Sequence, residues 1–332
     1  MTTSFSSLPI VDLSPLSHPS PSLEDQSRLS KELYNVFATT GFAYLTNAPL
    51  TYSHSDVFTL AKDFFTIPED EKMMVAKQTL VKGNQNTYRG YFPLQPGKQD
   101  NLKEGFEVGP AAHSRPTEGR ESRRTKLDLN EENVWPRAET FGDGRQRLEK
   151  LHNELQSLSS TLLSLLATAL GKPADYFASY LDNSLSTLRL LHYPPQEPAR
   201  SADGEVKLCC GLEVLNAEEQ WVPAPYVPSS IVVNIGDLMA QVSGGRFVAT
   251  MHRVRTNSGG AQGADGMGRF SVPFFFEPGE QCMVRSVDGG EGILYGQHIR
   301  RKMGTWVEYK DLVEERPMDE SAVERGPVVE AY

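Results

Sequence analysis

The chain of 332 residues is 39% hydrophobic and 23% charged, an ordinary globular composition with enough apolar side chains for a large buried core. Acidic residues number 43 against 33 bases, a formal charge of −10, so no positive field draws phosphate backbones or anionic lipid, and nucleic acid and membrane surfaces are not expected partners. Cys209, Cys210 and Cys282 make neither a disulfide framework nor a spaced zinc motif, no apolar run is long enough to span a bilayer, and the Ser/Thr-rich start has no leader pattern, so a cytoplasmic monomer is expected.

In chain order, Leu8 to Leu13 is a short β-branched run between prolines and predicts a strand. Ser22-Leu23-Glu24-Asp25 opens a helix whose apolar stripe, Leu29, Leu33, Val36 and Phe37, ends at Gly41. Phe42 to Leu45 predicts the next strand. Val57, Leu60, Ala61, Phe64 and Phe65 share a helical face over Asp56–Phe65, and Pro68 restarts a short helix through Met74. From Val81 to Arg137 periodicity fails, apart from strand-like pieces at Tyr88–Phe92 and Gly105–Val108; a segment this irregular is expected to cover a site. The charged run through Arg123-Arg124 reads as a solvated face rather than an anion site.

The longest predicted helix spans Gly144 to Leu170, where Leu148, Leu151, Leu155, Leu158, Leu162 and Leu165 recur at three- and four-residue steps before Gly171 and Pro173. The stripe is too short for a dedicated coiled coil and reads as core packing, with His152 off the stripe and therefore at the surface. After a short helix over Asp175–Leu181, the pattern changes to strands at Ser186–Tyr193, Gly211–Leu215, Ser230–Ile235, Phe247–Val254 and Arg269–Phe276, which predicts a β sandwich or barrel. Asn234 and Asp237 read as turn residues beside Gly236, and Thr305–Val313 as a last helix before an acidic tail. Within the final strand, alternation puts Arg269 and Ser271 on one face and Phe270, Val272, Phe274 on the other. A lone His252 on the preceding strand is, on its own, more readily a core or turn histidine hydrogen-bonded to the backbone than a metal ligand.

The order and spacing of Arg89-Gly90-Tyr91, Lys103-Glu104-Gly105-Phe106-Glu107, Leu188 to Pro195, Ile231 to Leu238, Gly245-Arg246-Phe247, His252-Arg253-Val254 and Arg269 to Phe275 resemble the iron(II)- and 2-oxoglutarate-dependent dioxygenases of the isopenicillin N synthase-like group, over most of the chain. The resemblance implies an α+β fold with a mainly β core, a double-stranded β-helix (jelly-roll) flanked by helices. It implies four regions: an N-terminal dioxygenase region at 1–120, a helical linker at 121–183, the jelly-roll core at 184–279, and a C-terminal helix and tail at 280–332. It also implies an oxidoreductase that hydroxylates, desaturates or cyclises a small organic molecule, as in natural-product biosynthesis, with Fe(II), 2-oxoglutarate and O₂. By the same resemblance His252 is the distal metal ligand, Arg269 and Ser271 grip the far carboxylate of 2-oxoglutarate, and Tyr193 helps to hold that co-substrate.

One departure accompanies the match. The family carries a His-x-Asp pair upstream of a Gly-Leu-x-Val segment; here Gly211-Leu212-Glu213-Val214 begins 41 residues before His252, but the pair is expected to be missing, with a deletion on the order of twenty residues, about a strand and a turn. His192-Tyr193-Pro194 has no carboxylate in the third position, so His192 reads as structural, and Asp203 and Glu205 read as solvent-facing loop acids. A catalytically inactive relative that keeps the jelly-roll as a binding or scaffold module is the competing expectation, and a mispredicted coding sequence would also produce the gap.

Overall fold

A computed structural model describes residues 3–18, 20–94, 103–111, 127–195, 211–255, 266–304 and 309. The first helix, α1 (Leu23–Thr39), begins at Ser22, whose hydroxyl accepts the Asp25 N–H at 3.0 Å, and buries Leu29, Leu33 and Phe37. It hands the chain to strand β2 (Phe42–Thr46) through Gly41, whose φ of +72° and approach to the Val248 carbonyl, 2.3 Å from where a Cβ would stand, admit no side chain. Strand β1 (Ile10–Asp12) pairs parallel with β2, and β2 pairs antiparallel with β8 (Ser230–Asn234), Phe42 opposite Asn234 and Thr46 opposite Ser230. Helix α2 (His54–Phe65) starts in a full capping box between Ser53 and Asp56. The short α3 (Glu69–Met73) follows Pro68.

The larger sheet runs β10-β5-β4-β3, from β3 (Gly90–Phe92), β4 (Glu104–Val108), β5 (Thr187–Tyr193) and β10 (Arg269–Ser271), and β11 (Phe274–Phe275) also pairs with β5. The aperiodic Val81–Arg137 region therefore supplies two strands of this sheet, because strands buried on both faces do not alternate apolar with polar residues. On one face Phe106, Leu188 and Leu190 pack with Leu60, Phe64, Leu148 and Leu151. The partial break between β10 and β11 falls at Val272-Pro273, where proline cannot donate to the ladder.

After α4 (Ala138–Phe141), helix α5 (Gly144–Ala169) joins two cores: Leu148 and Leu151 meet the larger sheet, while Leu158, Leu162, Leu165 and Leu166 meet Leu29, Leu33, Phe37, Ala43 and Leu45. The leucine stripe is core, as its period implies. His152 is not at the surface: it is 2% exposed, its Nε2 lies 3.0 Å from the Ser186 carbonyl, and its ring meets Phe274 edge-on at 5.2 Å. The position next to Leu151 and four residues after Leu148 faces β11, and the imidazole is accepted there because a backbone carbonyl meets it.

A third sheet has the order β7-β6-β9, from β6 (Gly211–Leu215), β7 (Trp221–Ala224) and β9 (His252–Arg255). The strand expected over Phe247–Val254 is only β9, with Phe247 and Val248 packed as loop residues of the core. Asp237 opens a helix, α6 (Asp237–Val242), rather than a turn. A hairpin of β12 (Met283–Val284) and β13 (Ile293–Leu294) leads to α7 (Tyr295–Met303), ahead of the helix expected at Thr305–Val313, most of which lies outside the described residues. So do Asp203, Glu205, Cys209, Cys210 and Arg123-Arg124. Antiparallel sheets carrying helices make the architecture the α+β jelly-roll that the resemblance implies. No helix among the described residues is long and apolar enough to cross a membrane.

Candidate active site

Strand pairing brings three of the expected residues together. Arg269 stands directly opposite Tyr193 across β10 and β5, and Ser271 opposite Leu191, so Arg269, Ser271 and Tyr193 occupy one face of the sheet. The Arg269 guanidinium carbon lies 4.9 Å from the centre of the Tyr193 ring. Its Nη1 is buried and has no hydrogen-bond partner among the described residues. A buried guanidinium N–H without an acceptor costs about 1–3 kcal/mol, which marks a place where an anionic oxygen fits. The donor set thus matches a carboxylate such as the distal one of 2-oxoglutarate.

Gly268 makes this closeness possible. Its φ is +89°, and a Cβ there would stand 2.3 Å from the Tyr193 carbonyl oxygen, so the chain entering β10 lies against the end of β5.

The fourth expected residue lies in another sheet. His252 opens β9 opposite Val214, its Nδ1 is 3.3 Å from the Thr250 carbonyl, and its ring meets Phe42 edge-on at 5.2 Å. Among the described residues no group of three His, Cys, Asp or Glu side chains could hold a metal ion. The iron of a two-histidine, one-carboxylate site therefore does not fit the donors described here, where His252 is a single imidazole.

One His-x-Asp does occur in the chain, His54-Ser55-Asp56, contrary to the expectation of none. It forms the start of α2, where Asp56 accepts the Ser53 N–H at 2.9 Å and His54 lies against Phe58 and Tyr226. Side chains two apart on a helix point away from each other, so these two form a cap and not a ligand pair. His192 is committed elsewhere, with Nδ1 2.7 Å from Glu104 Oε1 and Nε2 2.7 Å from the Met267 carbonyl. Between Pro195 and Gly211 the sequence holds Glu197, Asp203 and Glu205 but no histidine. Among the described residues β8, β9 and β10 each end their strand order, while the strands that flank the Pro195–Gly211 stretch in sequence are β5 and β6.

A charge network beside the site was not visible in sequence. Glu107, 1% exposed, accepts from Lys77 Nζ at 2.6 Å and pairs with Arg189. Burial alone would raise this carboxyl, but Arg189 and Lys77 together bring it down to about 2. Arg89 is fully buried, hydrogen-bonded to Thr187 and to the Leu185 carbonyl at 3.0 Å, and packs so tightly on Gly109 that a Cβ there would stand 2.7 Å from the guanidinium. Glu277, held by Tyr295 and Thr187, has its carboxyl raised by burial. Charged residues alternating with apolar ones in a strand read as solvent-facing, and their partners sit 18 to 98 residues away, so no local signal marks the network.

Comparison with known proteins agrees with this layout. The family described as the non-haem dioxygenase in morphine synthesis N-terminal matches residues 8–138, and the 2OG-Fe(II) oxygenase superfamily matches residues 209–278. The chain is 30% identical over 325 residues to the 2-oxoglutarate-Fe(II) type oxidoreductase hxnY of Emericella nidulans, covering 86% of this chain and 85% of that one. It is 28% identical over 326 residues to the 2-oxoglutarate-dependent dioxygenase tropC of Talaromyces stipitatus, covering 89% and 94%. A solved 2OG-Fe(II) oxygenase family protein of Caulobacter crescentus superposes with a TM-score of 0.69 at 25% identity, over 90% of this chain and 99% of that one. Fe(II) and 2-oxoglutarate are the cofactor and co-substrate that give this group its name. With the sheet layout, the residue order and these matches in agreement, the chain belongs to the 2-oxoglutarate- and Fe(II)-dependent oxygenase family.

Proposed function

We propose that this protein binds 2-oxoglutarate through Arg269, Ser271 and Tyr193 and serves the oxidation of a small organic metabolite, by hydroxylation, desaturation or cyclisation, with His252 as its one retained metal ligand. The observation that carries the co-substrate half is the buried Nη1 of Arg269, which lacks an acceptor beside Tyr193 among the described residues. Relatives whose names record 2-oxoglutarate-dependent dioxygenases support the reaction class, and relatives named as a homoarginine-6-hydroxylase and a proline hydroxylase support a small metabolite as substrate. The reading extends to a cytoplasmic monomer, in line with its acidic charge, and to the four regions at 1–120, 121–183, 184–279 and 280–332. The test is incubation of the purified chain with 2-oxoglutarate, Fe(II) and O₂: release of succinate supports the oxygenase, and its absence at saturating metal rejects it.

The single imidazole at the metal position favours a second reading, a jelly-roll that binds the dicarboxylate without turning it over. Stoichiometric 2-oxoglutarate binding without succinate release would select this reading, and turnover would reject it.

A further inference from the structure

His192 makes two hydrogen bonds, and the chemistry of their partners fixes its proton count. The Met267 carbonyl oxygen cannot donate, so Nε2 donates to it at 2.7 Å. Glu104 Oε1 lies 2.7 Å from Nδ1, while Oε2 of the same carboxyl takes the Lys72 ammonium at 3.0 Å and the Tyr91 hydroxyl at 2.6 Å. A carboxyl that gathers an ammonium and a phenol is an acceptor at both oxygens, so Nδ1 donates as well. Burial by itself would raise the Glu104 carboxyl, but hydrogen bonds from His192, Tyr91 and Lys72 keep it below the ordinary range.

The ring is placed for this role. It lies flat on Phe270, its direct neighbour across β5 and β10, with centroids 4.6 Å apart and planes 10° apart, and Phe65 flanks it at 5.3 Å. The charged groups facing it are Glu104 and Lys72, with Lys62 over the Phe270 ring at 5.8 Å and Glu69 acting on Tyr91. Met267 is two residues before Arg269, and between them Gly268 threads past the Tyr193 carbonyl with no room for a side chain. The His192–Met267 bond is thus a fastening on the turn that delivers Arg269 to Tyr193.

We infer that His192 is a positioning residue: a doubly protonated imidazolium that clamps the entry of β10 to β5 and so holds Arg269 in place for a dicarboxylate. A neutral ring has one proton for two acceptors, so one of the two contacts becomes lone pair against lone pair. Loss of the proton therefore loosens either the Met267 turn or the Glu104 carboxylate. This inference rests on the proposed 2-oxoglutarate role of Arg269, but its first test does not.

The test uses the full chain labelled with ¹⁵N at histidine, with His192→Gln as the variant, since glutamine keeps a donor but cannot serve both acceptors. Ring-nitrogen spectra at neutral pH should show both His192 nitrogens protonated, and amide exchange at Gly268 to Ser271 should quicken on the order of tenfold in the variant. The affinity for 2-oxoglutarate, measured without metal, should be weaker in His192→Gln than in the wild type. A neutral His192 ring, or unchanged exchange in β10, overturns the clamp whatever 2-oxoglutarate does. A doubly protonated ring with quickened exchange but no 2-oxoglutarate binding at any pH upholds the clamp and rejects the co-substrate reading of Arg269.

Discussion

Replacing Arg269 by lysine isolates what the guanidinium fork contributes. The lysine keeps the positive charge, so long-range attraction for a dicarboxylate survives, but it cannot present two parallel donors. Among the described residues Nη1 of Arg269 is buried and has no acceptor, and the guanidinium lies over Tyr193 at 4.9 Å. Losing one charge-assisted bond of about 1.5–3 kcal/mol corresponds to roughly ten- to hundredfold weaker binding. Calorimetric titration of 2-oxoglutarate into metal-free protein measures this directly, with melting temperatures compared to ensure that the sheet is intact. Arg269→Ala should lose the remaining charge attraction as well and bind more weakly than Arg269→Lys. Unchanged affinity in Arg269→Lys at an unchanged melting temperature would refute the assignment of the empty donor to the co-substrate.

Glu107→Gln leaves Lys77 and Arg189 facing a neutral amide, and urea denaturation should show a loss of about 3–5 kcal/mol. In the wild type the folded Glu107 carboxyl lies near 2, below its ordinary 4.5, so its stabilisation is complete above 4.5 and disappears as pH falls toward 2; the variant should show a flatter acid limb over that window. Leu188→Ala, at a fully buried position on the larger sheet, should cost about 2–5 kcal/mol by the same assay. Gly41→Ala forces a side chain into a φ of +72° and against the Val248 carbonyl, and should lower the melting temperature by several degrees, which a thermal scan will read. Fe(II) titration followed by thermal melting should show little metal-dependent stabilisation, because among the described residues no three-ligand group forms and one imidazole retains only a fraction of such a site's binding free energy; a large upward shift with stoichiometric metal would show that further ligands are recruited.

The proposed co-substrate residues and the proposed metal ligand stand in different sheets. Arg269, Ser271 and Tyr193 depend on β5 and β10, which pair with each other regardless of the region before Gly211. His252 depends on β9, which pairs with β6, and β6 begins only at Gly211. A deletion between Pro195 and Gly211 would therefore spare the carboxylate clamp while removing what stood beside His252. Sequencing the transcript across Val206 to Gly211 tests whether the gap belongs to the protein: recovery of a histidine and a carboxylate there would end the inactive-relative reading.

Helices α1, α2 and α5 were legible in the sequence because a 3.6-residue apolar period is a local signal, joined in α1 by the capping Ser22, and β5, β6, β8 and β10 because β-branched and apolar runs stop at proline, glycine or turn residues. The alternation that puts Arg269 and Ser271 on one face was equally local. The sequence by itself could not show that His152 is buried against Ser186 and Phe274, since a helix's apolar stripe does not reveal how wide a face its neighbours cover. Only the tertiary structure joined Glu107 to Lys77 and Arg189, and His192 to Glu104 and Met267, residues 30 to 88 positions apart. A side chain's periodicity is written in its neighbours along the chain, whereas the partner that makes a buried charge tolerable is chosen by the register of strands that meet only on folding.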